Sequence, residues 1–518
     1  MPANSTHPEY DANAAAWSRA RDVIAGEDAV KLGDIKYLPR LDSQSATEYL
    51  GYKSRACFFN ATSRTRDGFL GLLFRRDPEV KLPDRHAGVG GALRVFTDDV
   101  DLMGTSLFTY CKGVTGEVLS VGRSGTLIDW EGNGESRAYV VRYAAEDILN
   151  WQTGRINGRN VVTLIALREM VELTEGDGFA VKTVETIRVL KLEVLADGST
   201  RYIVELWQRV PSGNRGGNAS SLWSGFFGSK PSPAKTEWTQ VEIRMPLRLG
   251  KPLPLIPFVF HGPRNALPDV DKLPLADIIA VNLDHYRLDA DYKHGLHFTA
   301  LPTAWVSGFD KTSELRIGSS TAWVSDTVGA VAGFLEFKGH GLSTFENAQN
   351  RDERLMAVLG SRMLEDTKRV GETADAIELR QAGENSILMT LALSLSDSIS
   401  QVLRWVYWWN STEPYPEDIS ESLVLLQINT DFTAKGLTSL ELTAIVGAWQ
   451  AGAISQATMF DLFRKGEVLP TGRTDEEEKN LVQAGLTTLK NQIGQEIQGG
   501  GPSGRAPQPG APGDRASS

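Results

Sequence analysis

The chain has 518 residues, 41% of them apolar and 23% charged, with a formal net charge of −11. A single hydrophobic core stops growing at roughly 250–300 residues, so two or more packed regions are expected, and the composition argues against overall disorder. An acidic balance argues against a protein that wraps nucleic acid, since such binders need basic faces to release phosphate counterions; it suits a wall past which DNA slides without sticking.

Met1–Tyr10 carries neither the basic nor the apolar segment of an export signal, so the chain is expected to begin as made. From Asp11 to about Gly33, Ala14, Trp17, Val23 and Ile24 space out a helical face, read as short and surface-docked, with Gly26 as a break. A second helical stretch is expected over Ser45–Leu73, with Tyr49, Leu50, Tyr52, Ala56, Phe59, Phe69 and Leu73 apolar and Asp77-Pro78 beyond it; a third covers Gly90–Val121. Thr126-Leu127-Ile128-Asp129-Trp130 reads as a strand.

Between Asn160 and Pro246 the period changes to that of a sheet, with β-branched runs at Val161–Ala166, Val181–Leu192 and Tyr202–Val210. Ala196-Asp197-Gly198 joins two of them as a hairpin, because Asp-Gly supplies the positive φ a tight turn needs. Residues 211–235, rich in Gly and Ser, read as a loop insertion carrying Trp223, Phe226 and Phe227.

Pro252, Pro254 and Pro257 keep the next segment extended, and Pro274 opens a helix to about His297, with Leu275, Ile278, Ile279, Leu283, Tyr286 and Ala290 at helical spacing. Short strands are expected at Ala304–Ser307, Ala322–Ser325 and Gly333–Phe337, then a helix over Thr344–Lys368 whose apolar face includes Phe345, Leu355, Val358 and Leu359. Thr373–Trp409 is the longest helical pattern. Its stretch from Ile387 holds Ser394, Ser396, Asp397, Ser398, Ser400, Gln401 and Arg404, too polar for a lipid-facing span, so a buried helix is expected. Ser439–Ala451, Gln456–Arg464 and Asp475–Gln498 are further helical segments, and the Gly-, Pro- and Ala-rich tail 499–518 is expected to be disordered.

The strongest catalytic signatures are missing: there is no phosphate-cradling G-x-x-x-x-G-K-[ST], no H-E-x-x-H, no G-x-S-x-G and no C-x-x-C. Gly88-Val89-Gly90-Gly91 lacks the third Gly and the strand–turn–helix frame of a dinucleotide site, and reads as a loop. His285, His294 and His297 share a helix, but His285 points away from His294, so solvated or interface histidines are favoured over metal ligands. The carboxylates Asp98, Asp99 and Asp101 could serve acid–base chemistry or a cation; a solvated loop face is the simpler reading. Cys57 and Cys111 are too few for a disulfide framework and suit core filling in a reducing compartment.

Several groups of residues together resemble a divergent group of tailed-bacteriophage portal proteins. Trp17 with Asp22, Gly26 and Tyr37-Leu38-Pro39, Arg55-Ala56, Phe59-Asn60 and Phe74–Val80 are similar to the opening of such chains. Ile256-Pro257-Phe258, Leu273-Pro274-Leu275, Asn282, Tyr286, Leu335-Glu336, Gly339 and Met356-Ala357 to Gly360 are similar to the middle, and Glu372-Thr373-Ala374 and Ser386 carry the resemblance to Trp408. It implies an α+β, mainly helical subunit with a wing sheet, a two-helix stem, a small β clip and a helical crown.

Mapped onto this chain, the wing is 1–270, the stem helices are 271–297 and 344–368, the clip is 298–343, a tunnel loop, long helix and wing return fill 369–436, and the crown is 437–498. The tunnel loop at the channel constriction would comprise Glu365, Asp366, Thr367, Lys368, Arg369, Gly371 and Glu372, where Lys368 and Arg369 either touch phosphates or pair with Glu365, Asp366 and Glu372. Trp305, Phe309, Trp323 and Phe334 in the clip would dock partners. The resemblance implies a homo-oligomer, usually of twelve subunits, at the capsid portal vertex of a virion, assembled in the host cytoplasm. Its partners would be double-stranded DNA during packaging and ejection, the terminase large subunit, head-completion or tail adaptor proteins, and capsid and scaffold proteins, with no cofactor, metal or membrane. Two alternatives stand beside it: a carboxylate-based enzyme using Asp98 or Asp101, and a non-viral scaffold.

Overall fold

The computed structural model describes residues 2–83, 92–130, 137–175, 179–211, 236–300, 303–309, 323–335, 341–361, 374–412, 424–430, 432, 439–466, 468–469 and 473–484. The chain divides into two units, Met1–Phe432 and Thr433–Ser518. Helix and sheet are mixed in the first, in keeping with an α+β class.

The first unit opens with α1 (Pro8–Ala25) and α2 (Glu27–Leu32), separated at Gly26, whose φ of 107° lies where side chains are strained. This segment is not surface-docked as expected: Trp17, Ala20 and Val23 are fully buried in the main core. The single helix expected over 45–73 is two, α3 (Ala46–Arg55) and α4 (Ala61–Leu73). Ser45 and Glu48 close a capping box on α3, and the Asn60 side chain accepts from Ser63 N at 3.0 Å to start α4. With that break in place Leu50 and Phe59 face solvent instead of the core.

The stretch expected as one helix over 90–121 also divides, into α5 (Ala92–Asp98) and α6 (Leu107–Val121), because Ser106 caps α6 and the Asp99–Thr105 loop closes on its own carboxylates. After the left-handed Gly122 the chain enters β2 (Ser124–Asp129); β1 (Glu79–Lys81) precedes it. β2 is the middle strand of a buried antiparallel sheet, between β3 (Tyr139–Ala144) and β11 (Phe258–His261). A second sheet runs in sequence order through β4 (Ile148–Ile156), β5 (Arg159–Glu175), β6 (Ala180–Val194), β7 (Thr200–Pro211) and β8 (Thr236–Arg244), all antiparallel. The hairpin expected at Asp197-Gly198 joins β6 to β7, with Gly198 at φ 81°. The 211–235 insertion lies almost wholly outside the described residues. β9 (Leu247–Arg248) and β10 (Lys251–Pro252) form a small hairpin before β11.

Arg188 on β6 ties the two sheets together. Its Nη1 donates to Asp129 Oδ2 and its Nε to Glu169 Oε1, both at 2.8 Å, and the Tyr143 hydroxyl donates to Glu169 as well.

From here α7 (Ala276–Ala300), a β hairpin, α8 (Leu342–Met356) and α9 (Ala374–Asn410) follow in order. The serines that interrupt α9 are buried and bonded to neighbouring backbone. Ser394 Oγ donates to Gly262 O at 2.8 Å, Ser396 Oγ accepts from Ile428 N at 2.9 Å, and Ser400 Oγ accepts from Leu426 N at 2.8 Å, beside β14 (Leu425–Gln427). The expected burial therefore holds on that side, while Ile387, Met389 and Leu393 face solvent.

The second unit holds α10 (Ser439–Gln450), α11 (Gln456–Lys465) and helical residues 475–484. Ser455 caps α11, Met459 and Phe460 are buried, and Arg464 pairs with Asp475. The rest of the helix expected to Gln498, and the tail, lie outside the described residues.

Candidate functional site

α7 and α8 build an antiparallel two-helix arm. At 1.5 Å per residue α7 spans roughly 37 Å. Tyr292 donates to Glu346 at 2.6 Å, His285 Nε2 lies 3.6 Å from Glu353 Oε1, and Gly295 admits Leu342 so closely that a Cβ there would sit 2.9 Å from it. α7 is pinned to the α3 region well past its midpoint: Asn282 Nδ2 donates to Phe59 O at 2.7 Å, Cys57 N to Asp289 at 2.7 Å, and Tyr52 to Asp291 at 2.6 Å. Nothing in the local sequence pattern marks these distant pairings.

The helix extends past its expected end, so Phe298, Thr299 and Ala300 belong to α7, and Leu342 and Ser343 belong to α8. α8 ends sooner than expected and passes into a π-helical turn at Ala357–Ser361; residues 362–368 lie outside the described residues. Its buried stripe also differs from the expected face. Asp352 and Met356 point inward, while Leu355 is 41% and Leu359 43% exposed. Among the described residues Asp352 Oδ2 has no hydrogen-bond partner, and burial followed by the Asp284 charge pushes its carboxyl up from the usual range.

Between the helices β12 (Thr303–Ser307) and β13 (Val331–Leu335) pair antiparallel, Trp305 opposite Gly333 and Ala304 opposite Phe334. Of the strand expected at Ala322–Ser325, the described residues 323–325 are not in a strand, Ser325 Oγ donating to Gly308 O at 3.0 Å, and β13 pairs with β12. Trp305 is 46% and Phe334 55% exposed, and Phe309 and Trp323 are half-buried. The tunnel-loop residues Glu365, Asp366, Thr367, Lys368, Arg369, Gly371 and Glu372 lie outside the described residues.

His294, Asp99 and Asp101 are engaged in structural contacts. His294 contacts Arg55 Nη2 at 3.3 Å, and burial with that guanidinium lowers its pKa; among the described residues no group of three His, Cys, Asp or Glu could hold a metal. Asp99 and Asp101 accept from the backbone of their own loop, and Arg137 pairs with Asp99 at 3.1 Å.

A Ser–His contact unmarked by any motif lies at Ser398 and His261, 2.8 Å apart, continued by Thr126 at 2.6 Å and the Tyr110 hydroxyl at 2.8 Å. All four are buried, and burial holds the His261 imidazole down to about 3, so this chain fastens α9 to β11, β2 and α6 rather than presenting a nucleophile. Among the described residues no helix is long and apolar enough to cross a membrane.

No curated protein matches the chain. Solved structures of phage-like particles are among those similar to it. One chain is from the virion of a native gene transfer agent particle (TM-score 0.36, 11% identity, 85% of this chain and 99% of that one) and another is from the neck of an empty gene transfer agent particle (TM-score 0.37, 11% identity, 85% and 99%). Residues 274–410 match DUF4055, a domain of unknown function, and these limits enclose the two-helix arm, its hairpin and the whole of α9.

Proposed function

We propose that the chain is the ring-forming portal subunit of a tailed phage or phage-like particle, standing at a capsid vertex as the passage for double-stranded DNA. The observation that carries this reading is the arm. A lone two-stranded sheet is marginal in water, yet β12 and β13 stand between two long helices with Trp305 and Phe334 turned to solvent. An aromatic hairpin held on a helical stalk is suited to partners that exchange, here the terminase large subunit and later the head-completion or tail adaptors. The sequence motifs resembling portal chains support the same reading, and a net charge of −11 suits a passage that must not retain phosphate.

The mechanism is geometric. Copies meet through different faces and close into a ring when the rotation between them divides a full turn; ATP hydrolysis belongs to the terminase, and the isolated chain has no ATPase or nuclease activity on this reading. An enzymatic role for Asp98 or Asp101 is less favoured, because Asp101 is occupied by backbone N–H groups of its loop. Negative-stain imaging of the purified full-length chain tests the proposal. Rings with a central opening are expected, and compact monomers at micromolar concentration would overturn it.

A further inference from the structure

The loop between α5 and α6 presents two apolar side chains on a frame built to hold them still. Asp99 Oδ1 accepts from Gly104 N at 2.9 Å, Asp101 Oδ1 accepts from Met103 N at 2.9 Å and Thr105 N at 3.2 Å, and Val100 N donates to Thr105 O at 2.8 Å. Within this frame Leu102 takes φ 63°, a region that L side chains seldom adopt, and Met103 is 87% exposed. Single exposed apolar residues are ordinary. Two adjacent ones at the apex of a hydrogen-bonded loop, one in a strained backbone region, form a preorganised knob that loses little freedom on docking.

A matching hole lies elsewhere on the same unit. A cavity of about 270 Å³ opens between α1 and the start of α7, with an apolar floor of Ala16, Leu273, Ala276 and Ile279 and a polar rim of Asn13, Arg19 and Lys272, the last paired with Asp277 at 3.0 Å. A protein cavity of about 150 Å³ admits benzene, so this one has room for a methionine side chain. The charges are complementary as well: Asp98, beside the knob, and Arg19, on the rim, are both exposed.

We propose that Leu102 and Met103 of one copy insert into the α1–α7 cavity of a second copy, with Asp98 facing Arg19. A knob and a hole on different faces of one chain make a heterologous contact, which closes into a ring or runs on as a filament. The inference rests on the ring reading for the existence of an assembly and adds which surfaces join it.

The test is self-association of the full-length chain, followed by mass photometry and sedimentation, with melting temperature as the control for folding. Met103→Asp and the milder Met103→Ser are expected to weaken association by about tenfold or more, as loss of an interface anchor does, at unchanged melting temperature. Arg19→Glu and Asp98→Arg should each weaken it, and the double variant Arg19→Glu/Asp98→Arg should recover much of the loss. If the wild type forms rings and the Met103 variants do so equally well, this contact is wrong and the ring reading stands. If Met103 matters but the charge exchange brings no recovery, the knob docks somewhere other than this cavity and the proposal is overturned. A wild type that remains monomeric removes the ring reading and this contact together.

Discussion

Acid should loosen this protein through one residue, His261. Its imidazole is fully buried between Thr126 and Ser398, and burial lowers its pKa from 6.5 to about 3. A histidine with a depressed folded pKa is charged more readily when unfolded, so its contribution is fully present above pH 6.5 and is lost as pH falls toward 3. At about 1.36 kcal/mol per pH unit, lowering the pH from 7 to 4 should remove about 3 kcal/mol through this residue alone. Urea denaturation followed by tryptophan fluorescence at pH 7, 5 and 4 reads the effect, with His261→Gln as the reference because an amide does not titrate in this range. The variant is expected to begin less stable at pH 7 by about 1–3 kcal/mol, the cost of disturbing a buried hydrogen-bonded chain. Its decline below pH 6.5 should be shallower than that of the wild type. Parallel declines would refute the assignment, since the other titrating groups are common to both proteins.

Adjacent positions on α8 should behave oppositely. Leu355→Asp, at a residue 41% exposed, is expected to shift thermal stability by about 0.5 kcal/mol or less, whereas Met356→Asp, at 3%, should cost several kcal/mol by burying a charge, and thermal denaturation of the two separates them. Asp129→Ala removes one of the two carboxylates on Arg188 while Glu169 stays at 2.8 Å, so it should cost about 1–3 kcal/mol in urea denaturation, as loss of a hydrogen bond to a charged group does; a cost near zero would mean that Glu169 suffices for the guanidinium. Lys368→Ala/Arg369→Ala should leave ring formation and melting temperature unchanged and reduce DNA packaging into proheads, and wild-type packaging would show that the pair plays no part in the passage.

Where structure depends on neighbours in the chain, the sequence was sufficient. The 3.6-residue spacing of α1, α7 and α9, the Asp197-Gly198 turn and the strand at Thr126–Asp129 all follow from side-chain periodicity and backbone preference within one segment. Places where two local preferences compete were less legible. Asn60 and Ser106 each start a new helix inside what reads as a continuous apolar pattern, because a capping side chain satisfies backbone N–H groups that a spacing rule does not count.

Only the tertiary structure decided which faces are covered. Residues 323–325 have the character of a strand yet lie outside the two-stranded ladder, in which β12 pairs with β13, a pairing set by long-range register. The periodicity put Leu355 of α8 and Leu359 of the turn after it on the buried face, yet packing against α7 turned Asp352 and Met356 inward instead. The buried serines of α9 and the chain from Tyr110 to Ser398 are invisible to a local reading for the same reason. A hydroxyl or imidazole is tolerated in a core only when a distant strand supplies its hydrogen-bond partner, and that partner is chosen by the whole fold.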